Sequence, residues 1–319
     1  WFYLSIGNNQ NKVEISLNPP TRQVMNTNHS YAECAPHDPR PRTPDFTLPD
    51  GAWDTHAHVC GAIQTYPLVH NRLYNPPVAS VTDYLHMLDT LGLDRGVLVQ
   101  PSVYGTDNRV TLANLKVMKN QWRAVVVVED SITDRELEAM HALGVRGIRF
   151  NVVDVATEKG VLPMHLVRGI AERIAPLGWH VQFLMHVDDY PDLEKRFDGF
   201  PTDIVIDHFG YMKASKGARD PNFQAFLRLL KNGRTWCKFT GAYRISAHDM
   251  PYPDVTPLAH AIIEANPDRV VWGTDWPHPK HEGTMPNDGE MCSRLLEWIP
   301  DAGIRERVLT ANPARLYGF

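Results

Sequence analysis

The sequence predicts one closed (β/α)8 barrel over residues 51–319, an α/β fold, and three observations carry that reading. Eight short apolar segments alternate with helical patterns from residue 51 onward. The apolar segments are continuous runs, as in strands covered on both faces. Polar and titratable residues collect at the C-terminal ends of those segments, where barrels of this kind carry their sites. A doubly wound open sheet is the competing architecture, but no Gly-x-Gly-x-x-Gly turn follows any of the strands.

The elements follow in order. Residues 51–61 form a strand that ends on His56 and His58. In a strand, residues two apart share a face, so Asp54, His56 and His58 are expected on one side. Residues 60–79 read as a long loop containing Tyr66 and Tyr74, of a length often tied to function. Ser80 is a candidate N-cap for a helix over 81–93. Next come a strand over 95–101, a helix over 111–119, a strand over 122–129 with four consecutive valines, and a helix over 134–143. Strand 145–152 precedes helix 163–177, strand 179–187 a short helix near 191–197, and strand 203–210 helix 221–231. Strand 235–241 and helix 255–265 lead to the eighth strand, 269–275. Helices near 289–298 and 304–309 finish the chain.

The 319 residues are 43% hydrophobic and 22% charged, an ordinary globular composition. One barrel of about 250 residues fits that length. A formal charge of −5 argues against nucleic acid or an anionic membrane surface as partner. No apolar run approaches the roughly 20 residues of a membrane span. Cys34, Cys60, Cys237 and Cys292 form no Cys-x-x-Cys pair, which suits reduced thiols in a cytoplasmic protein. A homo-oligomer stays open. Residues 1–24 show no coherent period and are expected to be an upstream extension, with Met25 as an alternative start. Residues 25–50 read as an extended arm, because Pro36, Pro39, Pro41, Pro44 and Pro49 oppose a helix.

The strand ends carry the chemistry. Ser102 and Tyr104 follow strand 2, Arg149 and Asn151 share a face of strand 4, and Gln182, Leu184 and His186 share one on strand 5. Asp207 and His208 end strand 6, Lys238 and Thr240 lead into Tyr243 and Arg244, and Asp275 ends strand 8. Each also has a purely structural reading: a strand-end histidine held by hydrogen bonds, Asp275 tying a turn, Arg149 in a buried ion pair. Their concentration at one end of every strand favours a shared site.

Asp54-Thr-His-Ala-His58, Ile206-Asp-His-Phe-Gly210 and Trp272-Gly-Thr-Asp-Trp-Pro-His-Pro279 resemble the motifs of the amidohydrolase superfamily. Within it, the chain looks like the branch of lactone hydrolases that includes 2-pyrone-4,6-dicarboxylate lactonase, with likeness from about residue 48 to the end. The resemblance implies a barrel hydrolase that opens a small anionic lactone, such as a pyrone dicarboxylate, a muconolactone or a sugar-acid lactone. Asp275 would be the general base, and His56, His58 and His208 would polarise the carbonyl and stabilise the oxyanion. Arg149 and Arg244 would bind substrate carboxylate, with Ser102, Tyr74, Tyr104 and Asn151 completing the binding set. Those residue types suit the chemistry: an ester carbonyl needs an activated water on one side and donors on the other. Guanidinium forks match a planar carboxylate.

Departures from the branch pattern bear on the substrate. Val155 replaces a second arginine, Leu184 a tyrosine, Tyr211 an arginine and Tyr104 a histidine. Two cationic positions are lost, which points away from pyrone dicarboxylate and toward a lactone with one strong anionic group or a different shape. The resemblance leaves the cofactor as none or one divalent metal, zinc first. His56, His58 and Asp275 would hold it, with His186 or His208 completing the set. His186 lies about 6.5 Å beyond Leu184 along the strand, and strand 5 ligands usually stand near the latter. A metal-dependent decarboxylase or amide hydrolase on the same barrel is the alternative activity.

Overall fold

The computed structural model describes residues 31–118, 120–154 and 161–318. Eight strands form the barrel: β1 Trp53–Ala57, β2 Arg95–Val99, β3 Trp122–Val126, β4 Val145–Asn151, β5 His180–Leu184, β6 Ile204–Ile206, β7 Thr235–Phe239 and β8 Val270–Trp272. They pair in parallel in sequence order. The ring closes just beyond β8, where Ala57 bridges Trp276. There Asp275 N–H donates to His56 O at 2.8 Å and His58 N–H to Trp276 O at 2.7 Å. The two motifs at opposite ends of the chain are therefore the seam of the barrel.

Helices α1 (Val81–Leu91), α2 (Arg109–Val117), α3 (Asp134–Leu143), α4 (Met164–Ile174), α5 (Leu193–Arg196), α6 (Pro221–Lys231) and α7 (Thr256–Ala265) follow the first seven strands. After β8 come α8 (Asp288–Ser293), α9 (Leu295–Trp298), α10 (Ala302–Leu309) and α11 (Ala311–Tyr317). Ser80 caps α1 through a capping box with Asp83, and left-handed Gly92 ends the helix. A buried cluster including Trp53, Val97, Trp236 and Tyr317 fills the N-terminal half of the barrel, so α11 plugs the end opposite the site.

The strands end earlier than the apolar pattern suggests. β6 stops at Ile206 and β8 at Trp272, and left-handed backbone, which cannot continue a strand, begins at His208 and at Asp275. Sequence reading missed α11, whose Pro313 sits in the first turn, where its missing N–H costs little. Asp54 also parts from the two histidines. A register shift interrupts β1 after Asp54, and its carboxylate accepts from Tyr84 on α1 and from Thr274, on the outer side of the sheet. Burial pushes that carboxyl up to about 6.

Residues 31–50 contain no helix and cross α8. Asn287, the N-cap of α8, accepts from Arg42 N–H at 2.9 Å and donates to Asp38 at 2.8 Å. The 60–79 segment is also pinned: Tyr74–Asn75 pairs in parallel with Ala32–Glu33, and Cys60 bridges Ala79. All four cysteines are free. No helix of the described residues is long and apolar enough to cross a membrane.

Candidate active site

Left-handed backbone turns the site side chains inward. Seven described non-glycine residues have positive φ, and six of them, His208, Phe209, Tyr211, Asp275, His278 and Lys280, lie just beyond β6 and β8. Such conformations are costly for residues with a Cβ and cluster at functional sites. Gly241, beyond β7, also has positive φ. A Cβ there would stand 2.7 Å from both Asp275 Oδ2 and His208 Nδ1.

Asp275 is fully buried. Its Oδ2 accepts from the Tyr243 hydroxyl at 2.6 Å and from Arg244 Nε at 2.7 Å. Its Oδ1 has no hydrogen-bond partner and faces His56 Nε2 at 3.7 Å and His58 Nε2 at 3.6 Å. Burial alone raises this carboxyl, but the Arg244 guanidinium and the imidazoles outweigh it and hold Asp275 well below the usual carboxylate range. It is an ionised carboxylate with one anchored oxygen and one bare one.

The histidines are presented by their backbone partners. His58 Nδ1 lies 2.8 Å from Val99 O, and His208 Nδ1 lies 3.1 Å from Thr240 O. A carbonyl only accepts, so Nδ1 carries a proton in both rings, and the neutral tautomer of each turns an Nε2 lone pair to the site. Burial pushes His208 down to about 4 despite Asp275 nearby, and burial likewise holds His56 well below its ordinary value. His56 has Nδ1 3.5 Å from both Lys238 Nζ and Asp207 Oδ1, and an unpartnered Nε2. Among the three, His56 alone can present an Nε2–H while neutral, when Lys238 donates to its Nδ1.

A charged network lies beneath. Asp207 Oδ2 accepts from Arg149 Nε at 3.3 Å, Arg149 Nη2 at 3.1 Å and Gln182 Nε2 at 3.1 Å. Lys238 is fully buried and donates to Thr55 O at 2.8 Å; burial and Arg149 pull its ammonium down to about 8 against the attraction of Asp207. Asp207 is held well below the carboxylate range, since His56, Arg149 and Lys238 outweigh its burial. Asp207 and Lys238 were legible in sequence only as strand ends; their contacts join β1, β4, β5, β6 and β7, which no local pattern reveals.

Above these groups opens a pocket that is continuous with solvent. Tyr74, Ser102, Arg149, Arg244, His58, His208 and Asp275 line it as expected, together with Leu184, Tyr211, Asp154 and Lys280. His56, which is fully buried, and Tyr104 and Asn151 are not among its lining residues. The Tyr104 hydroxyl accepts from Gly61 N–H at 3.1 Å, and Asn151 binds Asp154 at 2.7 Å and caps the turn beyond β4. Val155 lies outside the described residues. Donor atoms of His56, His208 and Asp275 all lie within 4.8 Å of one another. His186 does not join them: it stands in the turn beyond β5, with Nδ1 2.7 Å from Tyr211 O and its ring stacked on Tyr211.

The profile of the amidohydrolase family matches residues 53–319. The chain belongs to the amidohydrolase family. This amidohydrolase is 37% identical over 286 residues to the 2-pyrone-4,6-dicarboxylate hydrolase of Comamonas testosteroni, covering 87% of this chain and 93% of that one. It is 36% identical over 275 residues to the 4-sulfomuconolactone hydrolase of Hydrogenophaga intermedia, covering 86% and 90%. An apo crystal structure from Agrobacterium tumefaciens superposes with a TM-score of 0.78 at 30% identity, covering 87% of this chain and 99% of that one.

Proposed function

We propose that this amidohydrolase opens the ester bond of a small anionic lactone. One observation carries the reading: the bare, ionised Oδ1 of Asp275 sits among imidazoles at the base of a cavity that two guanidinium groups also reach. The relatives named for lactone hydrolysis, at 36% and 37% identity, support it.

In this reading, water rests against Asp275 Oδ1, with its second hydrogen on the Nε2 lone pair of His58 or His208. Asp275 takes one proton as the oxygen attacks the lactone carbonyl. The developing oxyanion meets His56 Nε2–H, positioned by Lys238 at the other ring nitrogen. Collapse breaks the bond to the ring oxygen, which takes the proton from Asp275; the new carboxylic acid ionises and releases one proton per turnover. Arg149 and Arg244 bind substrate carboxylate through the terminal nitrogen that each keeps free of Asp207 and Asp275.

The unpartnered buried His56 Nε2 and Asp275 Oδ1 also fit a cation, so His56, His208 and Asp275 would hold a divalent ion, zinc by their N/N/O donors. When bound, that ion supplies a Lewis acid that polarises the carbonyl. The test is proton release from carboxylated and sulfonated lactones. Asp275→Asn is expected to lose about 10³-fold in turnover with an unchanged circular-dichroism spectrum; retained turnover removes Asp275 from the base role. Carbon dioxide release in place of ring opening would replace the lactonase reading with a decarboxylase. Metal content and turnover after chelation separate the two ways of polarising the carbonyl.

A further inference from the structure

A third cation reaches the cavity from a position the strand-end motifs do not mark. Lys280 Nζ donates to Asp154 Oδ1 at 2.8 Å, and both side chains line the cavity. Asp154 follows β4 and Lys280 follows β8, the fourth and eighth of eight strands, so this ion pair spans the mouth between opposite sides of the barrel.

We propose that Lys280 is the receptor for a second anionic group on the lactone, leaving Asp154 for that group when substrate binds. The inference rests on the lactonase reading for the identity of the ligand, and on the geometry of the mouth for everything else.

The three cations differ in how freely they can change partners. Arg149 is bonded to Asp207 through two nitrogens and its side chain is 5% exposed. Arg244 is fixed at Nε by Asp275 and at Nη2 by the Pro279 carbonyl, and is 12% exposed. Lys280 makes one side-chain hydrogen bond, to a single oxygen, and is 37% exposed against 13% for Asp154, so of the three cations it has the fewest bonds to exchange. Asp154 is not orphaned when Lys280 leaves, because its Oδ2 keeps the Asn151 amide at 2.7 Å. The Lys280 backbone is meanwhile pinned: its φ is 61° and its N–H meets Cys34 Sγ at 3.3 Å. Only the four-carbon stem has to swing. Tyr211 and Leu184, the neighbouring walls, carry no charge for such a group. The expectation of a single anionic group, drawn from lost arginines, therefore gives way to a dianionic lactone served by a lysine from the opposite side.

The experiment compares 2-pyrone-6-carboxylate with 2-pyrone-4,6-dicarboxylate, and adds calorimetric binding of citrate. Lys280→Met should lower the kcat/KM preference for the dicarboxylate roughly 10- to 100-fold, the worth of a charge-assisted hydrogen bond, through KM more than kcat. Asp154→Asn should leave or improve the dicarboxylate KM, since it frees the lysine. An unchanged preference in Lys280→Met overturns the proposal. If the wild-type protein opens neither pyrone, citrate decides alone, and the lactonase reading is left to the wider panel of carboxylated and sulfonated lactones. Binding at least tenfold weaker in Lys280→Met supports the receptor, whereas equal binding, or none to either protein, overturns it.

Discussion

Gly241→Ala tests whether the catalytic geometry depends on close packing behind Asp275. At Gly241 a Cβ would lie 2.7 Å from Asp275 Oδ2 and from His208 Nδ1, and ordinary contact begins at 3.4 Å. One or both groups must therefore move by about 0.7 Å. Neither is a loose end: Tyr243 and Arg244 hold that carboxylate oxygen, and the Thr240 carbonyl holds that nitrogen. A displacement approaching 1 Å costs about 10²-fold in rate. The left-handed backbone adds about 1–2 kcal/mol of strain for any residue with a Cβ. Gly178→Ala is the control, with a φ of 68° and nothing within 4 Å. Both variants should lose about 1 kcal/mol or more in urea unfolding, but only Gly241→Ala should lose turnover, by about 10²-fold. Initial rates of proton release and urea denaturation measure the two effects separately. Wild-type kcat in folded Gly241→Ala would refute the reasoning, as would matched activity losses in both variants.

Three further outcomes follow from the same geometry. Burial pushes His180 down to about 3, against an ordinary 6.5. Between those values the unfolded chain binds a proton that the native one does not, so stability falls as pH drops below 6.5. His180 contributes about 1.4 kcal/mol per pH unit at most to a slope that buried His56 and His208 share, and His180→Leu should reduce it by that share; an unaltered slope in urea titrations would sink the assignment. Asn287→Ala removes the α8 cap and the arm contacts at Arg42, Asp38 and Arg40. It should cost about 1–2 kcal/mol and speed proteolysis within residues 31–50; unchanged cleavage there would show that the arm is held elsewhere. Lys238→Met should raise the KM of the lactone little and lower kcat at least tenfold, because the His56 tautomer loses its donor; a KM-only effect would leave Lys238 a packing residue.

The barrel was legible because continuous valine-rich runs and capping residues are local signals: α3 and α6 fall on the predicted residues, and Ser80 caps α1. The convergence of His56, His58, His208 and Asp275 was legible because they sit at or just beyond the C-terminal ends of three strands, β1, β6 and β8. Side-chain direction beyond those ends was not. A register shift in β1 sends Asp54 outward, and the turn after β5 places His186 against Tyr211. Partners drawn from distant strands were equally silent. The Asp207 network and the Lys280–Asp154 pair join residues tens to more than a hundred positions apart, with nothing in either local pattern to announce the other.

His-x-His on a barrel strand invites one role for both rings, and their hydrogen bonds divide them. His58 donates from Nδ1 to Val99 O, so its neutral tautomer offers an Nε2 lone pair suited to orient water or hold a cation. His56 sits between a donor, Lys238, and an acceptor, Asp207, at equal 3.5 Å distances. Donation from Lys238 leaves Nε2–H toward the substrate oxygen; donation to Asp207 leaves a third lone pair beside His208 and Asp275. The first arrangement is that of a hydrogen-bonding catalyst and the second that of a metal site. The difference between them is one proton on one ring, set by two residues in the interior of the barrel.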